Sequence, residues 1–159
     1  MDFRRAKEQD INALLNLLAQ VLEIHHELRP DVFNEGVTKF TEDQLKEMIK
    51  NDDNPIYVLL DGNKVIGHAF CKTRYPSLTH LMKPTKTLYI DDFVIDKDYR
   101  KKDFGKALFE YIVLEAKRLN YNNITLNVWS GNKSAINFYE KMGLKPRSIV
   151  MEYELEYGI

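Results

Sequence analysis

The chain has 159 residues, 44% of them hydrophobic, 11% aromatic and 30% charged, with only 7 Gly and 5 Pro. That length suits one ordinary core, and the composition excludes a disordered, collagen-like or linker-dominated chain. Lys+Arg 23 against Asp+Glu 24 leaves a formal net charge of -1, so no global field draws the chain to nucleic acid or anionic lipid.

The chain opens on MDFRRAKEQD, charged within four residues and without the apolar stretch of a signal peptide. Phe3 to Ala6 reads as a short strand. Ile11, Leu14, Leu15, Leu18, Val21 and Leu22 then recur at three- and four-residue steps, which predicts a helix with one buried face that stops before Pro30. Thr41-Glu42-Asp43-Gln44 is a capping box that starts a second helix, ending near Asn51. Ile56–Leu60, the turn Asp61–Lys64 and Val65–Phe70 read as an antiparallel hairpin, followed by Cys71, a lone cysteine better suited to packing than to disulfide, metal or nucleophilic roles. Arg74 to Pro84 reads as a loop and Thr87 to Ile95 as a strand. Gly105 to Leu119 is a long helix, Ile124 to Trp129 a strand, and Lys133 to Lys141 a short helix stopped by Gly143. Ile149 to Tyr157 alternates like a strand. The order β-α-α-β-β-β-α-β-α-β predicts a mixed α/β fold with a mostly antiparallel sheet, in a single cytoplasmic domain over residues 1–159. No run approaches the roughly 18 apolar residues of a membrane span.

Two segments carry chemistry. In the first, a buried strand runs through Asp92-Phe93-Val94-Ile95 into a basic loop that opens the long helix. Between Asp96 and Lys106 stand five cations (Lys97, Arg100, Lys101, Lys102, Lys106) and three anions (Asp96, Asp98, Asp103), a local excess of 5 − 3 = +2. Such a loop is either a solvated turn or an anion site, since the first N–H groups of a helix lack internal partners. Gly105 would allow close backbone approach to a phosphate. The second segment is Asn132-Lys133-Ser134-Ala135-Ile136-Asn137-Phe138-Tyr139-Glu140-Lys141-Met142-Gly143.

Together the two segments resemble the GNAT superfamily of acyl-CoA-dependent N-acetyltransferases. Arg100 and Gly105, with the surrounding Tyr99, Lys106 and Ala107, match its pyrophosphate loop, R-x-x-G-x-G/A, and the second segment matches N-x-x-A-x-x-F-Y-x-x-x-G at every written position. Ile90-Asp91-Asp92-Phe93-Val94 and Asn137-Phe138-Tyr139 look most like the spermidine/spermine and thialysine acetyltransferase branch. The resemblance covers roughly Leu88 to Leu144, about a third of the chain, and implies a central sheet with two splayed strands. One departure is that Lys101 and Asp103 stand where relatives usually have glycine. A carboxylate beside a pyrophosphate is repulsive, unless Asp103 turns aside to cap the helix, the preferred reading.

The resemblance implies direct transfer from acetyl-CoA to a primary amine in a ternary complex; the four histidines, scattered along the chain, give no metal-ligand spacing, so no metal is expected. Backbone N–H groups of Phe93, Val94 and Ile95 would bind the acetyl and pantetheine parts. Arg100, Lys101, Lys102, Asp103, Phe104, Gly105, Lys106 and Ala107 would cradle the phosphates, with Asn132, Ser134 and Tyr139 as further contacts. Tyr139, whose phenol ordinarily titrates near ~10, suits the acid for the leaving thiolate. Asp91 and Asp92 are base or amine-anchor candidates; being adjacent on a strand, they point to opposite faces unless a bulge intervenes. His26, Arg29 and Phe33, in the string His25-His26-Glu27-Leu28-Arg29-Pro30-Asp31-Val32-Phe33, would border the acceptor, with Asp92. A polyamine or diamine is the first expected acceptor; an amino acid, an aminoglycoside, a protein N-terminus or lysine, and a catalytically weak acyl-CoA sensor are the alternatives. Nucleic acid is not an expected partner, and a homodimer is.

Overall fold

A computed structural model describes residues 1–76 and 80–157. Its strands are β1 (Asp2–Arg5), β2 (Ile56–Asp61), β3 (Lys64–Arg74), β4 (Thr87–Ile95) and β5 (Asn123–Leu126), and its helices α1 (Ile11–Leu28), α2 (Glu42–Ile49), α3 (Phe104–Arg118) and α4 (Lys133–Lys141). They form one mixed α/β unit around a sheet of order β1-β2-β3-β4-β5, antiparallel at every pairing except the parallel β4–β5.

The local signals act as expected. Helix α1 ends one residue before Arg29 and Pro30. At the start of α2 the Thr41 hydroxyl accepts from the Gln44 N–H at 3.1 Å and the Gln44 side chain accepts from the Thr41 N–H at 2.8 Å. Gly62, at φ +61°, turns the chain between β2 and β3.

Alternation along the strands splits the core in two. Leu14, Leu17 and Leu18 of α1 and Leu45 of α2 pack on one face against Ile56, Val58, Phe70 and Val94. Leu108, Phe109, Ile112 and Ala116 of α3 pack on the other against Tyr57, Leu59, Ile66, Leu88 and Ile90. Each such buried aliphatic contributes about 1.5–3 kcal/mol.

Three expectations change. Strand β5 stops at Leu126 rather than Trp129, so it pairs with β4 only over Thr87–Ile90, and the remaining five residues of β4 face a gap. This notch is the splay. The expected last strand, Ile149–Tyr157, is not one here: these residues form no strand pairing among the described residues and are exposed, Tyr153 by 88%. Its alternation is real, but a strand needs a neighbour to pair with. The loop expected over Arg74–Pro84 begins only after Arg74, which closes β3, and it includes residues outside those described.

Candidate active site

The register of β3 against β4 breaks at one point. Phe70 opposes Asp92 and Cys71 opposes Ile90, so Asp91 is an extra residue on β4, a β-bulge. The bulge shifts the alternation by one: Leu88 and Ile90 face α3, and beyond it Phe93 and Ile95 do. Asp91 and Asp92 consequently do not point to opposite faces. Both carboxylates reach the Lys39 ammonium, at 3.6 and 3.7 Å, and Asp91 also lies 3.9 Å from Lys72.

Asp92 is buried, with its carboxylate 2.5 Å from His68 Nε2 on β3. An ionised carboxylate only accepts, so this nitrogen carries the proton, and the equally buried Nδ1 has no partner among the described residues. Burial alone would raise the Asp92 carboxyl. The His68 hydrogen bond, with the charges of His68, Lys39 and His25, outweighs it and holds Asp92 below the usual carboxylate range. His25 itself is pushed down by burial, opposed by Asp92, which keeps its imidazole neutral near pH 7. Phe70 sits edge-on to His68 and stacks on Phe40, so the loop between α1 and α2 roofs the carboxylates with Lys39 and Phe40.

Tyr139 on α4 comes to the same place from the other side of the notch, its ring 6.1 Å from Phe93 and edge-on. Burial first, and the Asp92 charge second, push its phenol well up, so it keeps its proton at neutral pH. On β4 the main chain alternates. Asp96 N–H donates to Ile66 of β3 at 2.7 Å, so Val94 also turns its amide toward β3, while Phe93 and Ile95 turn theirs into the notch. Of the three expected donors, Val94 is thus engaged by the sheet. The Ile95 carbonyl, pointing the same way as its N–H, accepts from Arg100 Nε at 2.9 Å.

The basic loop leads from there into α3. Lys101 and Asp103 both adopt left-handed backbone, at φ 61° and 62°. These are the two positions where glycine was expected, so the turn is kept and only the residue type departs. Asp103 occupies the N-cap position of α3, but its side chain makes no capping bond, which overturns the capping expectation: left-handed backbone replaces the extended conformation from which an N-cap side chain reaches the first turn. Lys102, Asp103 and Lys106 are exposed around the helix start, with Phe104 half-buried and Ala107 in the first turn. Gly105 also has a packing reason. A Cβ there would lie 3.2 Å from the Phe138 ring, so its absence seats α4 against α3.

Asn132 caps α4, its side chain accepting from Ala135 N–H at 3.2 Å, with Ser134 exposed in the first turn. Of the acceptor candidates, His26 is turned back by the Phe33 carbonyl, 2.9 Å from its Nδ1. Arg29 clamps Asp31 at 2.7 and 2.9 Å and lies over the Trp129 ring at 5.4 Å, and Phe33 meets Trp129 edge-on. These residues form a rim on which α1 meets the chain beyond β5. His25, rather than His26, lies within the field of Asp92. Sequence reasoning missed His25, His68 and Lys39 as members of the site: no motif spacing marks them, and a buried histidine within an apolar strand was the one available signal. The described residues hold no cluster of metal-ligating side chains and no helix long and apolar enough to cross a membrane.

The comparisons agree with this geometry. An L-ornithine N5-acetyltransferase of Arabidopsis thaliana is 37% identical over 79 residues, 50% of this chain and 33% of that protein. The [ribosomal protein bS18]-alanine N-acetyltransferase of Escherichia coli is 27% identical over 77 residues, 48% of this chain and 51% of the relative. The chain thus spans a third to a half of the curated relatives it matches. A solved structure of a single-residue mutant of the BH1408 protein of Bacillus halodurans has 26% identity and a TM-score of 0.92, over 98% of this chain and 100% of that one. The profile of the Acetyltransferase (GNAT) family matches residues 18–144, which take in the bulge, the basic loop and α4, and the chain belongs to that family.

Proposed function

We propose that this protein is a cytoplasmic N-acetyltransferase that moves an acetyl group from acetyl-CoA to a primary amine of a small cationic molecule, with a diamine or polyamine as first candidate, and that it works as a homodimer. The observation that carries the acceptor class is the Lys39 ammonium held between Asp91 and Asp92. The bulge builds a site for an alkylammonium, and an incoming amine takes the place of Lys39, whose side chain is loop-borne and partly exposed. The acceptors in the names of two relatives, L-ornithine and the alanine of ribosomal protein bS18, both carry such a group; the buried Asp92 beside Asp91 at the rim, with Phe40 close by, favours the slimmer one.

Acetyl-CoA supplies the activated acetyl thioester. The notch fits it: Phe93 and Ile95 present their main chain there, and the +2 loop with the free N–H groups of α3 lies at its end. Asp92, held ionised by His68, is too acidic to be an efficient base alone. It fixes the ammonium, while Asp91, at the rim, relays the departing proton to water. Tyr139 gives its proton to the leaving sulfur. The uncapped Asp103 carboxylate, at the mouth of the loop, favours weakened cofactor binding as a second feature of the same enzyme.

Free-thiol release from acetyl-CoA across a panel of amines, with calorimetry of cofactor binding, tests this. Turnover is expected to be fastest with diamines. No turnover with any amine and no heat of acetyl-CoA binding would sink it, whereas tight binding without turnover would leave only a sensor.

A further inference from the structure

Lys39 stands apart from the other lysines. It lies on the loop between α1 and α2, with its Nζ 3.6 Å from the Asp91 carboxylate and 3.7 Å from that of Asp92. Neither distance is short enough for a hydrogen bond, so the pair attracts the ammonium without fastening it. Lys72 of β3 pairs with Asp91 alone, at 3.9 Å. The backbone beside Lys39 is firmly held. Phe40 stacks on Phe70 and packs against the α1 side of the core, and Thr41 opens the capping box of α2. An anchored main chain thus delivers a flexible amine to one spot.

That spot is where the proposed reaction puts its acceptor. Asp92 directly precedes Phe93, whose amide faces the notch, and the Asp92 charge is felt by the Tyr139 phenol across it. A lysine side chain ends in the same primary alkylammonium as a diamine. It also comes tethered. An external amine must first bind, whereas a group held by its own chain has an effective concentration of ~mM or more, whatever the solution holds. Charge balance alone does not need a lysine here: arginine would supply the same cation without a nucleophilic nitrogen.

We propose that Lys39 is a self-modification site: with acetyl-CoA bound and no amine in the acceptor site, the protein acetylates its own Lys39 Nζ. The proposal rests on the transferase reading above. The Nζ attacks the thioester carbonyl carbon, an amide C–N bond forms and the C–S bond breaks. The ammonium gives up two protons in all. One leaves through Asp91 to water, and the other replaces the proton that Tyr139 gives to the departing sulfur. The products are an N-acetyl-lysine and the free CoA thiol, with no oxidant or further reactant. The amide is uncharged, so the carboxylate pair loses its resident cation and an external ammonium has no rival there.

The test compares two acetyl donors on the intact protein, with no amine added, by peptide mass spectrometry. The Lys39 side chain is 29% exposed, against 69% for Lys50 and 55% for Lys106, so an N-hydroxysuccinimide ester of acetic acid should reach Lys39 after those two. Acetyl-CoA at saturation should reverse the order and modify Lys39 first, at a rate unchanged by dilution of the protein. A diamine should protect Lys39, and Tyr139→Phe should slow its modification by roughly 10²-fold. Lys39→Arg should lose the mass gain while keeping the wild-type circular dichroism. Lys39 left unmodified while amines are turned over would overturn the self-modification and leave the transferase. Neither Lys39 nor any amine acetylated would overturn both. If Lys39 trails Lys50 and Lys106 with acetyl-CoA, or its rate ignores Tyr139→Phe, the modification is ordinary chemical acetylation and the proposal falls. A rate that drops on dilution would overturn it too, by placing the transfer between copies.

Discussion

Asp91 and Asp92 share a face because one residue is inserted into β4, and Asp92 stays ionised there because His68 donates to it and Lys39 lies close by. Two adjacent carboxylates in a partly buried site repel each other, and Lys39 offsets that repulsion. Tyr139 is arranged the opposite way: burial and the Asp92 charge keep it protonated, which suits donation and excludes a role as base at neutral pH. Tyr139→Phe removes the hydroxyl and keeps the ring against Phe93. We expect kcat to fall by roughly 10²-fold with acetyl-CoA affinity unchanged, within the usual range for a general acid; pre-steady-state release of thiol is the readout, and an unchanged rate would return Tyr139 to packing alone.

Among the elements, the loop before α3 bears the clearest mark of conflict between residue type and backbone. Left-handed backbone costs a residue with a Cβ about 1–2 kcal/mol, of which glycine's larger unfolded entropy takes back ~0.5–1. Lys101→Gly should therefore stabilise the protein by about 0.5–1 kcal/mol, seen as a raised denaturant midpoint; a lowered one would mean that the lysine side chain holds the loop. The elements themselves were legible in the sequence wherever a single chain decides them: the period of α1, the Thr41 capping box and the Gly62 turn each act within a few residues. The site was legible in its motif half, Arg100 to Ala107 and Asn132 to Gly143. It was not legible where the answer depends on the neighbouring strand. A bulge is a property of two strands, so one strand read alone left the placement of Asp91 and Asp92 conditional on it, and the pairing with β3 supplies the bulge. Lys39 and His68 join the site through a loop and a strand that no local pattern connects. The segment 149–157 reads as a strand yet has no strand partner among the described residues, for the same reason.

At the scale of the whole molecule, a net charge of -1 conceals a +2 loop at one end of the notch and a carboxylate pair at the other. In the proposed reaction the cofactor phosphates and a cationic acceptor are drawn to opposite ends of one cleft. The same groups set the acid sensitivity. His25 and Asp92 both have folded values below their unfolded ones, so each contributes stability that is present above its unfolded value and is lost as pH falls toward its folded one. For His25 that decline begins below about 6.5, and for Asp92 below about 3.9. The melting temperature should drop between pH 7 and 5, and His25→Gln should remove part of that drop; a variant as acid-sensitive as the wild type would place the titration elsewhere.

The central claim is that the bulged carboxylate pair selects a cationic amine. It is tested most directly by kcat/KM for a diamine against a monoamine of equal length, in the wild type and in Asp91→Asn. A charge-assisted contact of about 1.5–3 kcal/mol predicts a wild-type preference of roughly 10-fold or more for the diamine, collapsing toward parity in the variant. A wild-type ratio near one, or a preference that survives in Asp91→Asn, would contradict it.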